Sequence, residues 1–265
     1  MSFKVFLPTL LLGLGLPLSA QVPDTSSPAV AEQSSELPLA LNLPTADHLE
    51  GWDMGLRFTH RFQEQARSNG KNLYGLDGSA YAAFGFDFGI KAVPGLNAQI
   101  YRSADRKTLV LALQEQFFVA GHWRAALRVE RFDEMVKHGA VGSSVQLPLE
   151  WRPWEVLTLE AVPVWMSRSA TQRGVVNVGL GVRIQPGEHH GLFGEYYPRP
   201  SKVDGGFERG FALGYQYRTR HHRFTILATN ELGTTVRQVL GGDYEGFGPS
   251  KPGNYGLGFN IIRIF

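Results

Sequence analysis

The sequence contains no cysteine. That excludes a disulfide framework, a thiolate metal centre, a thiol nucleophile and a lipidated cysteine anchor. An excess of one charge is also missing: 26 Lys and Arg stand against 24 Asp and Glu, a formal net charge of +2. A chain so balanced carries no electrostatic footprint for nucleic acid, and none is expected as a partner. Long hydrophobic runs are scarce. The main one, residues 5–18 in MSFKVFLPTLLLGLGLPLSAQVP, is shorter than the roughly 20 residues that a membrane helix needs. Lys4 precedes it and Ser19 and Ala20 follow, the layout of an export signal peptide over 1–20 with cleavage expected after Ala20. Phosphate-cradling and dinucleotide loops are absent, since GLGV at Gly179 is alternation within a strand. No cofactor and no metal are expected.

What the sequence has is alternation. Residues 21–50 show no sustained period and are rich in Pro, Ser, Thr and Ala, which predicts a flexible periplasmic linker. The sharper alternative for this stretch is a segment that folds back into a lumen as a plug. From Trp52 onward, period two dominates. Trp52, Met54, Leu56, Phe58 and Phe62 alternate with Asp53, Arg57, Thr59 and Arg61. Ala80, Ala82, Phe84, Phe86 and Phe88 alternate with Tyr81, Gly85, Asp87 and Gly89. The pattern recurs to the end, giving twelve segments; Val162 and Val164 blur the parity of one, and GLFGEYYP from Gly191 is the least decided. Strict alternation over such lengths marks strands with one apolar and one polar face.

Three features choose between a soluble barrel and a membrane barrel. Most segments are about 10–12 residues long, matching a tilted bilayer-crossing strand better than the 5–6 of a soluble one. The connections alternate between longer loops and tight turns, the outer-membrane pattern, with both termini on the short-turn, periplasmic side. The polar face carries charges of both signs, costly in a soluble core but tolerable in a narrow wet lumen. The expected fold is therefore all-β: a transmembrane antiparallel up-and-down β-barrel of about 12 strands over 51–265, surrounded by outer-membrane lipid. Its candidate lumen-lining residues are Arg57, Arg61, Asp87, Arg124, Arg128, Glu130, Glu160, Arg183, Glu195 and Arg218. Among them Arg57, Arg61, Arg128 and Arg183 are the cations expected to pair with Asp87, Glu130 and Glu160.

The stretches GWDMGLRFTHRF, LYGLDGSAYAAFGFDFGI, YRSADRKTLVLALQ and FTILATNELGTTVRQVLGG together resemble a family of uncharacterised bacterial proteins, a domain of unknown function described as an outer-membrane-type β-barrel. The resemblance runs from about residue 43 to residue 265. It implies a barrel in the bacterial outer membrane and carries over no activity. Resemblance to outer-membrane barrels also gives the closing GNYGLGFNIIRIF a role as the assembly signal. Asn254, Gly256, Phe259, Ile261 and the terminal Phe265 fit its form, and the expected partners are the barrel-insertion machinery and periplasmic chaperones.

Candidate chemistry is sparse. His189, His190, His221 and His222 fall in two short turns and read as polar turn residues rather than metal ligands. Ser143 and Ser144 follow a loop containing His138, without a nucleophile-elbow signature. The 231–252 loop is long enough to fold inward, and its TTVRQVLGG centre suits a helical turn or two. The expected role is a narrow channel, or a structural barrel, for small polar solutes. A lipid-acting outer-membrane enzyme and a soluble exported lipocalin-like barrel are the alternatives.

Overall fold

Branched and aromatic residues at every second position let one face of a strand be apolar while the other stays polar. Here they build a closed sheet. The structure is a computed structural model that describes residues 39–66, 73–137, 139–168, 174–198, 209–241 and 255–265. The expected signal peptide and the first part of the expected linker, to residue 38, lie outside the described residues.

Thirteen strand segments form. They are β1 (Met54–Phe62), β2 (Ala80–Gly89), β3 (Leu96–Ser103), β4 (Thr108–Ala120), β5 (Trp123–Glu134), β6 (Val141–Gln146) and β7 (Leu149–Trp154). Then follow β8 (Leu157–Met166), β9 (Val175–Ile184), β10 (His190–Tyr197), β11 (Gly210–Arg218), β12 (His222–Thr229) and β13 (Gly256–Ile264). Both β6 and β7 lie between β5 and β8, so they are halves of one strand. The break falls at Leu147 and Pro148, where proline supplies no ladder N–H. Each strand is antiparallel to its neighbours, and β13 returns to β1 with Arg57 opposite Ile262 and Arg61 opposite Gly258. The result is a closed twelve-stranded antiparallel barrel, as the alternation predicts.

Short connections at 90–95, 121–122, 155–156, 185–189 and 219–221 gather at one end. The strand ends joined through the longer spans 63–79, 198–209 and 230–255 lie at the other. The polarity is inside out. In β1, Arg57, Thr59 and Arg61 are buried, whereas Leu56, Phe58 and His60 face outward. The same inversion holds in β3, where Asn97, Gln99, Tyr101 and Ser103 are buried beside exposed Ile100, and in β12, where Thr225 is buried beside exposed Phe224 and Ile226. The undecided β10 turns Phe193, Glu195 and Tyr197 inward and Leu192 and Tyr196 outward.

Aromatics cluster at the ends of the outer face. Trp123 stacks on Trp151 at 5.8 Å near the short turns, and Arg263 lies over the Phe265 ring at 4.6 Å. His60 stacks on Phe259 at 4.9 Å on the same outer surface. An outer face so apolar predicts a position-dependent cost for charge. Ile226→Arg should destabilise the barrel by about 2–4 kcal/mol in equilibrium unfolding from lipid vesicles, with a smaller loss for a charge at a strand end. Equal losses at both positions would contradict a hydrocarbon-facing belt.

Candidate functional site

A barrel of this strand number is wider than wall side chains alone fill. Two pieces of the chain enter it. The first overturns part of an expectation: within the stretch read as flexible linker, residues 40–47 and Leu49 are buried among lumenal side chains. The segment is a re-entrant hairpin. Leu39 lies with Arg218, Arg223 and Ile262 near the short turns, and Leu49 packs on Ile262 and Ile264 at the same end. Between them, Ala40 N–H bonds to the Leu43 carbonyl at 2.9 Å, closing the tip, and Asn42 reaches Tyr197 and Arg61 deep in the barrel.

The hairpin has no neighbouring strand, yet a buried backbone must find partners. Wall side chains provide them. Glu195 Oε1 accepts the N–H groups of Leu41, Asn42 and Leu43 at 2.7, 3.1 and 3.1 Å. Glu150 accepts that of Ala46 at 3.1 Å. Gln114 donates to the carbonyls of Thr45 and Asp47, Gln116 to that of Ala46, and Asn260 to that of Leu41. Asn97 both accepts from and donates to the Leu49 backbone, at 2.8 and 3.2 Å, as a strand neighbour would.

Charge fixes the limb nearer the mouth. The Asp47 carboxylate meets Arg124 at 3.0 Å, Arg152 at 2.6 Å and Arg183 at 3.3 Å, from β5, β7 and β9. Glu150 braces Arg152 at 2.5 Å and Arg183 at 3.6 Å. Burial alone would raise the Asp47 carboxyl, but Arg152, Arg183 and Arg124 together hold it well below the usual carboxylate range.

The second piece is the loop after β12, the inward-folding alternative for that segment. Residues 230–241 are buried, and α1 (Val236–Leu240) starts on a capping box. Gln238 Oε1 accepts from Thr235 N while Thr235 Oγ accepts from Gln238 N, so the turn satisfies its own first donors. Thr234 bonds Ser103 at 2.8 Å, Gln238 bonds Asp105 at 2.5 Å, and Asn177 donates to the Leu240 carbonyl at 2.8 Å. Arg237 forms a fully buried ion pair with Glu134 and covers the Phe132 ring at 5.1 Å. Residues 242–252 of this loop lie outside the described residues.

Hairpin and loop meet in an apolar seat. Leu41 and Leu43 from one and Val236, Val239 and Leu240 from the other share a cluster with Val162, Val164, Met166 and Val175 of the wall. Two lumenal glycines make the approach possible: a Cβ at Gly179 would stand 2.5 Å from Leu43, and one at Gly214 2.8 Å from Leu41. Beside Leu39, Arg183, Phe193, Gln216, Arg218, Arg223 and Ile262 leave a space of about 10 Å³, room for one water.

All ten candidate lumen residues stand on inward-facing positions, but their partnerships differ from the simple wall-to-wall pairing. Arg128 meets Glu130 at 3.3 Å and also reaches Gln99, which bonds Asp87. Arg57 stacks on Tyr101 at 4.1 Å. Arg61 and Arg183 instead hold the hairpin, through Asn42 at 2.9 Å and through Asp47. Glu160 lies opposite Glu150 in the ladder, and Arg218 lines the small space beside Leu39. Asp47, Arg152, Glu134 and Arg237 join the site without having been singled out.

Of the other candidates, Ser144 faces the lumen and accepts from Gln146 at 2.8 Å. His138 and Asn254 lie outside the described residues. His190 bonds the Tyr215 hydroxyl at 2.7 Å, and among the described residues no group of three or more His, Asp or Glu is arranged for a metal.

Residues 152–265 match the family model described as a membrane bound beta barrel domain (DUF5777). Over those residues the chain is thus similar to a membrane-bound barrel domain of unknown function. No curated protein matches the sequence. Among solved structures, the NanC porin is similar in fold, with a TM-score of 0.52 at 9% identity over 80% of this chain and 99% of that one. Outer membrane phospholipase A from Escherichia coli gives 0.46 at 8% identity over 82% and 92% of the two chains. Omp33 from Acinetobacter baumannii gives 0.45 at 6% identity over 81% and 98%.

The site yields two expectations. Gly179→Leu should unseat the hairpin tip and speed thermolysin cleavage within 39–49 about tenfold; unchanged cleavage would mean that Leu43 is not held there. For pH, the lowered Asp47 carboxyl contributes stability that is full above its unfolded pKa, about 3.9. The stability gap between wild type and Asp47→Asn should therefore hold to about pH 4 and shrink below it. A gap already lost at pH 6 would show that Asp47 is not held as an anion.

Proposed function

We propose that this is a bacterial outer-membrane barrel with its short turns facing the periplasm, acting as a narrow channel for small polar solutes that its own hairpin and loop hold shut. The observation that carries this reading is the way the hairpin is bound. Its backbone is held by side-chain amides and carboxylates of the wall, and its one acid by arginines. Water can replace contacts of that kind with little loss, so the closure is removable and what it leaves behind is a polar, charged lumen. The C-terminal strand fits the same location. Phe259, Ile261 and Phe265 face outward and Gly256 inward, the arrangement expected of an assembly signal read by insertion machinery after delivery by periplasmic chaperones.

Planar-bilayer recording tests the channel. Wild type should conduct rarely, whereas deletion of residues 39–49, or Gly179→Leu where the deletion fails to insert, should raise open-channel conductance at least about tenfold. Silence of a correctly folded, hairpin-unseated barrel would overturn the channel reading in favour of a structural barrel.

A further inference from the structure

The arginines that hold Asp47 are more numerous than one carboxylate requires. Arg124, Arg152 and Arg183 come from three different strands and converge on it, with Glu150 of the wall beside Arg152 and Arg183. The Asp47 carboxylate itself arrives on the hairpin, a segment of the chain that is not part of the wall. Three guanidinium groups brought together around a removable anion repel one another once it leaves. An open lumen therefore leaves the point where they meet open to another anion. The cations are also within reach of solvent: the Arg124 and Arg152 side chains keep 20% and 25% of their surface exposed, against 3% for Asp47. Arg218 and Arg223, with Arg183, line the adjoining space beside Leu39, which extends the basic character along the route inward.

We propose that Arg124, Arg152 and Arg183 form an anion-binding subsite of the lumen, that Asp47 is its internal occupant, and that the solutes admitted at the short-turn mouth carry a carboxylate or phosphate group. This rests on the channel reading for its role in transport, but the site itself does not. Guanidinium forks match both oxyanions in geometry, and they bind either through paired, charge-assisted hydrogen bonds. Asp47 acts as a competing ligand: an anion that occupies the arginines removes the charge that seats the hairpin, so solute arrival and opening are coupled. The braces at Glu150 keep Arg152 and Arg183 pointed at the site whichever anion is present.

The test uses the full chain in detergent micelles. Isothermal titration of Asp47→Ala with acetate and with inorganic phosphate should show one binding site per chain, absent from wild type at the same concentrations. Adding Arg183→Gln to Asp47→Ala should weaken that site at least about tenfold. Binding of acetate alone assigns the carboxylate class and of phosphate alone the phosphate class; binding of neither overturns the proposal. If Asp47→Ala does not fold, wild type supplies the measurement. Acetate or phosphate should then accelerate thermolysin cleavage within 39–49 beyond chloride at equal ionic strength, and no difference among the three salts overturns the proposal. A barrel that binds the anion but never conducts would count against the channel alone. One that conducts with neither anion bound would count against this site alone.

Discussion

Closure of the sheet is the constraint on which the rest of the molecule depends. In hydrocarbon every backbone N–H and C=O must be paired within the protein, and a sheet meets that demand only by returning its last strand to its first. The β13–β1 pairing does so, and closure fixes which way each residue points. With period two, apolar residues that face lipid force every alternate residue inward. The lumen is polar because the outside is apolar. It is then too wide at twelve strands to fill with wall side chains alone, and the chain supplies the remainder from the hairpin and the loop.

That sequence of constraints explains the chemistry of the wall. A hairpin without strand neighbours needs donors and acceptors at irregular heights. Asn97, Gln114, Gln116, Glu195 and Asn260 are placed to serve it from separate strands. Glu195 is the most instructive. Three successive N–H groups converge on one of its oxygens, so a carboxylate that would otherwise be buried at high cost acts as the cap of the hairpin tip. Tyr197, two residues on along the same inward face, also donates to Glu195 and is reached by Asn42.

The barrel was legible in the sequence because its signal is periodic and spread over more than two hundred residues. The inward-facing charges were legible for the same reason, from parity alone. What escaped was their purpose. Composition places 39–50 with the linker, since its alanines, its single proline and its scattered polar residues set up no sustained period, and nothing local marks Asp47 as a ligand of three strands. Yet signs of the seat were present. Val162 and Val164 break the polar parity of β8 because they face hairpin leucines rather than water. Gly179 and Gly214 sit on inward positions where a side chain would displace Leu43 and Leu41. A lumenal row that is apolar or bare is a trace of something packed against it. Arg237 and Glu134 left no such trace, because the loop that joins them is defined only by tertiary contact.

The two closures differ in a way that bears on which of them moves. The loop is locked by Arg237 and Glu134, both fully buried, and parting such a pair strands a charge at a cost of about 3–5 kcal/mol. Its helical turn satisfies its own first donors and is further tied to Ser103, Asp105 and Asn177. The hairpin has the opposite balance. Its charged contact lies among part-exposed arginines toward the mouth, where water and mobile ions can take over each bond as it breaks. Its apolar contribution is limited to a few side chains, chiefly Leu41, Leu43 and Leu49. The hairpin is therefore the less firmly held of the two pieces, and in the channel proposed above it would be the one to leave, while the loop would stay as the fixed half of the constriction.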